Sequence, residues 1–181
     1  MSDLINLLTR HQPADAKEAA DLRAMIAFLR AGHDCFVRTN LWAHFTGSAL
    51  LVNAAGDKVL LNHHRALDCW LQFGGHADGD TDLFAVAQRE LREESGMTAF
   101  VPLINGIFDV DIHPIPYNAK KDEPAHLHYD VRYLFRMTRD EDFTISEESV
   151  AMRWCAFDEA KELAQSQSFG RMLDKWREAV S

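Results

Sequence analysis

The chain has little of what marks a secreted, disulfide-stapled or membrane protein. Its three cysteines, Cys35, Cys69 and Cys155, are odd in number and widely spread, with no Cys-x-x-Cys pairing or His-rich zinc spacing. A disulfide framework and a structural zinc are therefore not expected, and buried free thiols are. No apolar run approaches the roughly 20 residues that span a bilayer. The start, MSDLINLLTRHQPADAKEA, lacks the basic residues, long apolar stretch and small-residue cleavage pattern of a secretory signal. The expected location is cytoplasmic, without membrane association. Positive charge is also short: 19 Lys and Arg against 28 Asp and Glu leave a net charge of −9. Sequence-independent binding of nucleic acid by phosphate neutralisation is thus not expected. An acidic chain can still take a phosphorylated small molecule, provided metal ions or local arginines mask the repulsion.

At 181 residues and 47% hydrophobic content, the chain supports one substantial core and is short for two. The expected organisation is a single domain over 1–181, with a helical extension over 1–35, a core over 42–157 and C-terminal helices over 158–181. Apolar residues at helical spacing run from Ala14 to Ala31, between Pro13 and Gly32. From Trp42 the pattern turns to β: AHFTGSALLVN, a turn at AAGD, and KVLLNHH read as a hairpin. WLQFGGHADGD reads as a short strand entering a glycine-rich loop, and DLFAVAQRELREES as an amphipathic helix ended by Gly96. Further strands follow in TAFVPLINGIFDVDIH, LHYDVRYLFRM and MRWCAF. The polar stretch PIPYNAKKDEPAH is a binding-loop candidate, and two helical patterns close the chain. This order suits an α/β fold in which a mixed sheet is layered between helices.

Within the central helix, Glu90, Glu93 and Glu94 fall at i, i+3 and i+4, so three carboxylates project from one face. Composition alone favours a solvated face in which Arg89 and Arg92 pair with them. The Gly74-Gly75 pair just before the helix changes the balance, because it lets the backbone turn sharply and bring a carbonyl near the carboxylates. A carbonyl with several carboxylates is a hard-oxygen site suited to Mg²⁺ or Mn²⁺.

With these residues in place the segment resembles the Nudix family motif, G-x5-E-x7-R-E-U-x-E-E-x-G-U, where U is aliphatic. Gly75 leads through Thr81 to Arg89-Glu90-Leu91-Arg92-Glu93-Glu94-Ser95-Gly96-Met97, so eight of nine fixed positions match when Met97 counts as aliphatic. The one departure is Thr81, where the family has glutamate. Either Asp78, Asp80 and Asp82 replace the missing charge or Thr81 caps the helix, and the cap is the favoured reading. Beyond the box, HFTGSALLV, KVLLNHHR, WLQFGGH, HPIP and EPAHLHYDVRYLF are similar to a bacterial Nudix subgroup with a GGH loop.

The resemblance implies a Nudix-type α/β/α sandwich and a metal-dependent hydrolase of a diphosphate linkage in a nucleoside diphosphate derivative or similar organic pyrophosphate. It implies metal held by the Gly75 carbonyl, Glu90, Glu93 and Glu94, with Arg89 orienting a glutamate. The general base is either Glu90 or a glutamate of the later acidic loop, Glu147 or its neighbour Glu148. His76, His113, His126 and His128 are candidate substrate contacts, since imidazole can donate to phosphate near neutral pH; a His-only transition-metal site is the weaker reading of the same cluster. Tyr117, Tyr129 and Phe108 are candidates to stack on a base, although core packing is the commoner fate of such residues. Rival functions are a Nudix-fold binding or interaction domain, which the retained glutamates oppose, and a Nudix-fold isomerase, whose cysteine motif the ALDCWLQ context does not resemble. Homodimers are the commonest oligomers, and the N-terminal helices offer a surface for one.

Overall fold

The computed structural model describes residues 2–32, 34–119, 122–140 and 142–180. Two helices, α1 (Ser2–Arg10) and α2 (Ala16–Arg30), lead into strand β1 (Ala43–Val52). Next come β2 (Lys58–His64), β3 (Cys69–Leu71), β4 (Phe73–His76) and helix α3 (Leu83–Ser95). Strands β5 (Phe100–Pro102), β6 (Asp109–Ile115), β7 (His126–Met137) and β8 (Ser149–Ala156) follow, and helices α4 (Phe157–Leu163) and α5 (Gln167–Val180) end the described chain. Of the stretch read as a binding loop, Lys120 and Lys121 lie outside the described residues.

All eight strands join one mixed sheet. The long β1–β7 pair is parallel, with His44 opposite His128 and Val52 opposite Arg136. The remaining strand pairs are antiparallel. Every residue of β1 is buried, as a strand covered on both faces requires. Alternation sends Phe45, Ala49 and Leu51 to one face, where they pack with Leu22, Met25 and Leu29 of α2 and Leu83, Val86 and Leu91 of α3. Leu50 and Val52 face the other way, onto Phe169, Met172 and Trp176 of α5. The expected helix–sheet–helix layering is thus present, and α1 and α2 join its core through Leu4, Leu8 and Met25.

Two details position the site. The other edge of β1 is shared: β4 pairs with Thr46 to Ala49 and β2 only with Leu51 and Val52, so the sheet forks where β1 changes partner. Moreover, the face of β1 that carries Leu50 and Val52 becomes polar toward its start, with His44, Thr46 and Ser48. Opposite them stand His128, Asp130 and Arg132 of β7, and beyond these His113, Asp111 and Asp109 of β6. A polar stripe therefore crosses three strands on one face, histidine-rich at one end and carboxylate- and arginine-rich at the other.

Candidate active site

A cleft of about 290 Å³ opens at the fork, bordered by the polar stripe, the Gly74-Gly75-His76 backbone, and Glu90 and Glu94 of α3. Two close approaches bring α3 there. At Gly47 an added Cβ would lie 2.6 Å from the Leu83 carbonyl oxygen, so the absent side chain lets the start of α3 settle on β1. At Gly75 an added Cβ would collide with the Glu90 carboxylate, so the glycine leaves room for that carboxylate against the β4 backbone.

Glu94 ties the two arms of the fork together. Its Oε1 accepts from the Gly74 N–H at 2.9 Å, and its Oε2 accepts from Asn62 Nδ2 on β2 at 2.9 Å. Burial pushes the Glu94 carboxyl up to about 7; the charges of Glu90 and Glu148 push the same way, and the donors on Gly74 and Asn62 oppose them. Burial also raises Glu90, against the opposing Arg89 guanidinium and with help from the negative charges of Glu93 and Glu148. Arg89 Nη2 donates to Glu90 Oε1 and to the His76 carbonyl, each at 3.0 Å, which joins α3 to the end of β4. The expected sharp turn at Gly74-Gly75 is absent: both glycines are extended in β4 and pair with Ser48 and Gly47, and they serve the site by leaving room beside the backbone. Carboxylates raised by desolvation and mutual repulsion beside that backbone fit a hard divalent cation: the ion would supply the charge compensation that the side chains lack.

The other predicted residues divide. Glu93 is exposed and reaches the group through its charge on Glu90. Glu148 borders the cleft, whereas Glu147 does not; the Glu147 carbonyl accepts from Arg65 Nε at 2.9 Å. His76, His113 and His128 border the cleft, and His126 lies behind His128 with their Nε2 atoms 3.1 Å apart. Burial drives the His76 imidazole down to about 4 and lowers His128 further, with neighbouring cationic or imidazole groups adding to the effect. The aromatic candidates stay out of the cleft. Tyr129 packs edge-on to Phe28 and Phe45, Phe108 is buried beneath Lys175, and Tyr117 is exposed with its hydroxyl donating to Asp122.

The NUDIX domain model matches residues 44–176, most of the chain and all of the cleft apart from Arg38. The chain belongs to the NUDIX family. It is 32% identical over 85 residues to a probable DHNTP pyrophosphohydrolase of Lactococcus lactis, a match covering 47% of this chain and 50% of the relative; the chain thus spans about half the length of that protein. It is 26% identical over 107 residues to the asymmetrical bis(5'-nucleosyl)-tetraphosphatase of Caenorhabditis elegans, covering 59% of this chain and 72% of the relative. Among solved structures, the fold is shared with a C. elegans Ap4A hydrolase complex at TM-score 0.55 and 19% identity, covering 74% of this chain and 96% of that one. It is also shared with a MutT protein of Methanosarcina mazei at TM-score 0.57 and 19% identity, covering 76% and 94%.

Within this Nudix frame, one expectation is corrected. The cap of α3 is Asp82, whose Oδ1 accepts from the N–H groups of Phe84 and Ala85, while Thr81 is exposed one residue too early. The helix starts at Leu83, so the capping position is the residue just before it, and the acceptor there reaches the second and third helical N–H groups. Nor do the flanking aspartates replace the missing glutamate at the cleft. Asp78 pairs with both Arg38 Nε and Nη2 at 2.7 Å, and Asp80 accepts from the Asp82 N–H. Two cleft residues, Arg38 and Asp130, escaped the sequence reading, as did the buried His44 next to the cleft histidines. Arg38 stands in the linker between α2 and β1, far from the motif. His44 and Asp130 were legible only as alternating residues of strands, and strand alternation without register does not say which strands meet.

Proposed function

We propose that this Nudix protein is a metal-dependent pyrophosphohydrolase that cleaves a diphosphate linkage in a nucleoside diphosphate derivative or a similar organic pyrophosphate. The observation that carries the reading is the gathering of Glu90, Glu94 and Glu148 around one cleft, where burial and mutual repulsion raise the two helix carboxyls and call for a cation. Mg²⁺ or Mn²⁺ would be held by the Gly75 carbonyl, Glu90, Glu93 and Glu94. Such an ion, when bound, offsets the charge of the diphosphate oxygens and of the phosphorus under attack.

The chain's own residues supply orientation and proton transfer. Arg89 holds the Glu90 carboxylate by a charged hydrogen bond, and the Gly74 N–H with Asn62 holds that of Glu94. Glu148 is the general base in this reading, taking a proton from the attacking water; it borders the cleft where Glu147 does not. Water then adds to one phosphorus as the bridging oxygen leaves with the other, giving a phosphate-bearing product on each side. Arg38 and His113 contact the substrate phosphates, with His76 and His128 on the cleft wall. No Phe, Tyr or Trp ring borders the cleft among the described residues, and Leu67, Leu71 and Ile115 supply its aliphatic wall. The organic group is therefore received against aliphatic side chains. That one relative is a probable pyrophosphohydrolase and the other a tetraphosphatase supports the reaction type.

The test is a phosphate-release screen over nucleoside triphosphates, nucleotide sugars, dinucleotides and non-nucleoside diphosphates with Mg²⁺ and Mn²⁺. Glu94→Gln abolishes metal-dependent turnover with native circular dichroism, and Glu148→Gln lowers kcat by roughly 10²- to 10⁴-fold, the usual worth of a positioned base. Full activity in folded Glu94→Gln protein would refute the assignment.

A further inference from the structure

The histidine end of the polar stripe holds more than a cleft wall needs. His44 of β1, His76 at the end of β4, and His126 and His128 of β7 present one ring nitrogen each, and these four atoms lie within 4.8 Å of one another. Register brings them together: His44 is opposite His128, and Thr46, two residues along the same face, is opposite His76. Ring centroids are 4.7 Å apart for His44 and His126, 5.0 Å for His44 and His76, and 4.8 Å for His76 and His128.

Their hydrogen bonds determine which nitrogens are free. His44 Nδ1 lies 3.3 Å from the Asn40 carbonyl and His126 Nδ1 lies 2.7 Å from the Pro124 carbonyl. A carbonyl only accepts, so each Nδ1 carries the proton and each Nε2 of the neutral ring turns a lone pair inward. His44 is 2% exposed, and its Nε2 is buried with no hydrogen-bond partner among the described residues; His76 Nε2 is likewise buried without one. Leaving a buried ring nitrogen unsatisfied is destabilising. Inward lone pairs backed by Nδ1–H donation to backbone carbonyls are the arrangement that metal-ligating histidines adopt. The 3.1 Å between His126 Nε2 and His128 Nε2 is close to the edge of about 3.3 Å that a tetrahedron with metal–nitrogen bonds of 2.0–2.1 Å would have.

We propose that His44, His76, His126 and His128 form a tetrahedral all-imidazole site for a first-row transition ion of the Zn²⁺ class, separate from the carboxylate site. Imidazole nitrogens suit zinc and its neighbours, whereas Mg²⁺ demands oxygen ligands. A bound ion satisfies the two orphaned nitrogens together and ties β4 to β1 and β7, one residue after Gly75. Its place is structural: it pins the end of β4, whose backbone borders the cleft.

The test uses the full chain stripped of metal by chelator, with saturating Mg²⁺ present to occupy the carboxylate site and no substrate. Its outcome is therefore independent of whether the protein hydrolyses diphosphates. Co²⁺ added to the wild-type protein is expected to give the intense visible absorption of four-coordinate cobalt at one equivalent, displaced by Zn²⁺. X-ray absorption of the zinc form is expected to show nitrogen neighbours only. His44→Ala and His126→Ala, each checked by circular dichroism, lower Zn²⁺ affinity at least about 100-fold, since even the outer partners of metal ligands are worth 10- to 100-fold. Absence of the cobalt band in the wild-type protein overturns the proposal. So does zinc binding that survives in both histidine variants, or zinc that is lost instead in Glu90→Gln and Glu94→Gln.

Discussion

Two glycines that look alike in the sequence have different duties because of what stands over them. At Gly47 a new Cβ meets the Leu83 carbonyl and the Val86 side chain, the first of which is backbone and cannot turn aside. Gly47→Ala should therefore destabilise the fold by about 1–3 kcal/mol, the usual cost of overpacking, as read from the denaturant midpoint. At Gly75 the obstacle is the end of the flexible Glu90 side chain, which can swing away. Gly75→Ala should keep most of its stability and lose turnover instead, because Glu90 leaves its place beside Arg89. A stability loss equal to that of Gly47→Ala, with full activity, would contradict this division. The sequence motif identified Gly75; Gly47 sat unmarked in a strand, since only the packed helix reveals why a side chain is excluded.

For single elements, the sequence located α3 well and its cap less well. Leu83, Val86, Ala87 and Leu91 are the buried stripe, and Gly96 ends the helix in the left-handed conformation that glycine adopts freely, at φ 72°. The cap fell to Asp82, the next residue along, because threonine and aspartate compete as caps and only the backbone shows where the helix begins. Asp82→Ala should cost about 1 kcal/mol in thermal or denaturant unfolding, while Thr81→Glu stays within about 0.5 kcal/mol of wild type. The opposite ranking would return the cap to Thr81. At α2 the same logic applies with a firmer signal: Asp15 caps by accepting from the Glu18 N–H, and the helix starts at Ala16, close to the predicted boundary.

Across the whole molecule, α2, β6, β7 and α5 are joined by buried charge that no local pattern announces. Arg171 of α5 holds both oxygens of Asp109 at 2.9 and 3.0 Å, and Lys175 bridges Glu18 at 2.8 Å and Asp109 at 3.2 Å. Arg132 of β7 binds Asp130 at 2.8 Å, Asp109 at 3.1 Å and Asp111 at 3.2 Å. Arg171→Met removes the bidentate partner of Asp109, leaving Lys175 and Arg132 to share that carboxylate, and should destabilise the fold by about 3 kcal/mol, the lower end for a broken buried pair; a loss below about 1 kcal/mol would show that the network relaxes around the change. Burial works to raise Glu18 and Asp111. For Glu18 it is outweighed by His11, Lys175 and the Ala14 N–H, and for Asp111 by His113, Arg132 and Lys17, so both carboxyls sit far below the usual range. Their folded values lie below the unfolded ones, so the stability they add is complete above about pH 4–4.5 and is lost as pH falls through the folded values. The urea midpoint should change little from these groups between pH 7 and 5 and decline below about 4, with a shallower decline in Glu18→Gln. An equal acid slope in that variant would remove Glu18 from the account.

The sequence by itself determined the placement of the carboxylates along the central helix, because i, i+3 and i+4 spacing and a fixed run of residues are local properties that survive without knowledge of the fold. It also identified the strands and the layering, since period-two and period-3.6 burial are written along the chain. What only the tertiary structure decided is which residues from different strands meet. Register across β4, β1, β7 and β6 brings His44 to His76 and His128 and aligns Asp130 with Asp111, while the turn ahead of β8 leaves Glu148 rather than Glu147 at the cleft. A strand's alternation gives its two faces but not its neighbours, and a shift of one residue would turn each of these side chains to the opposite side.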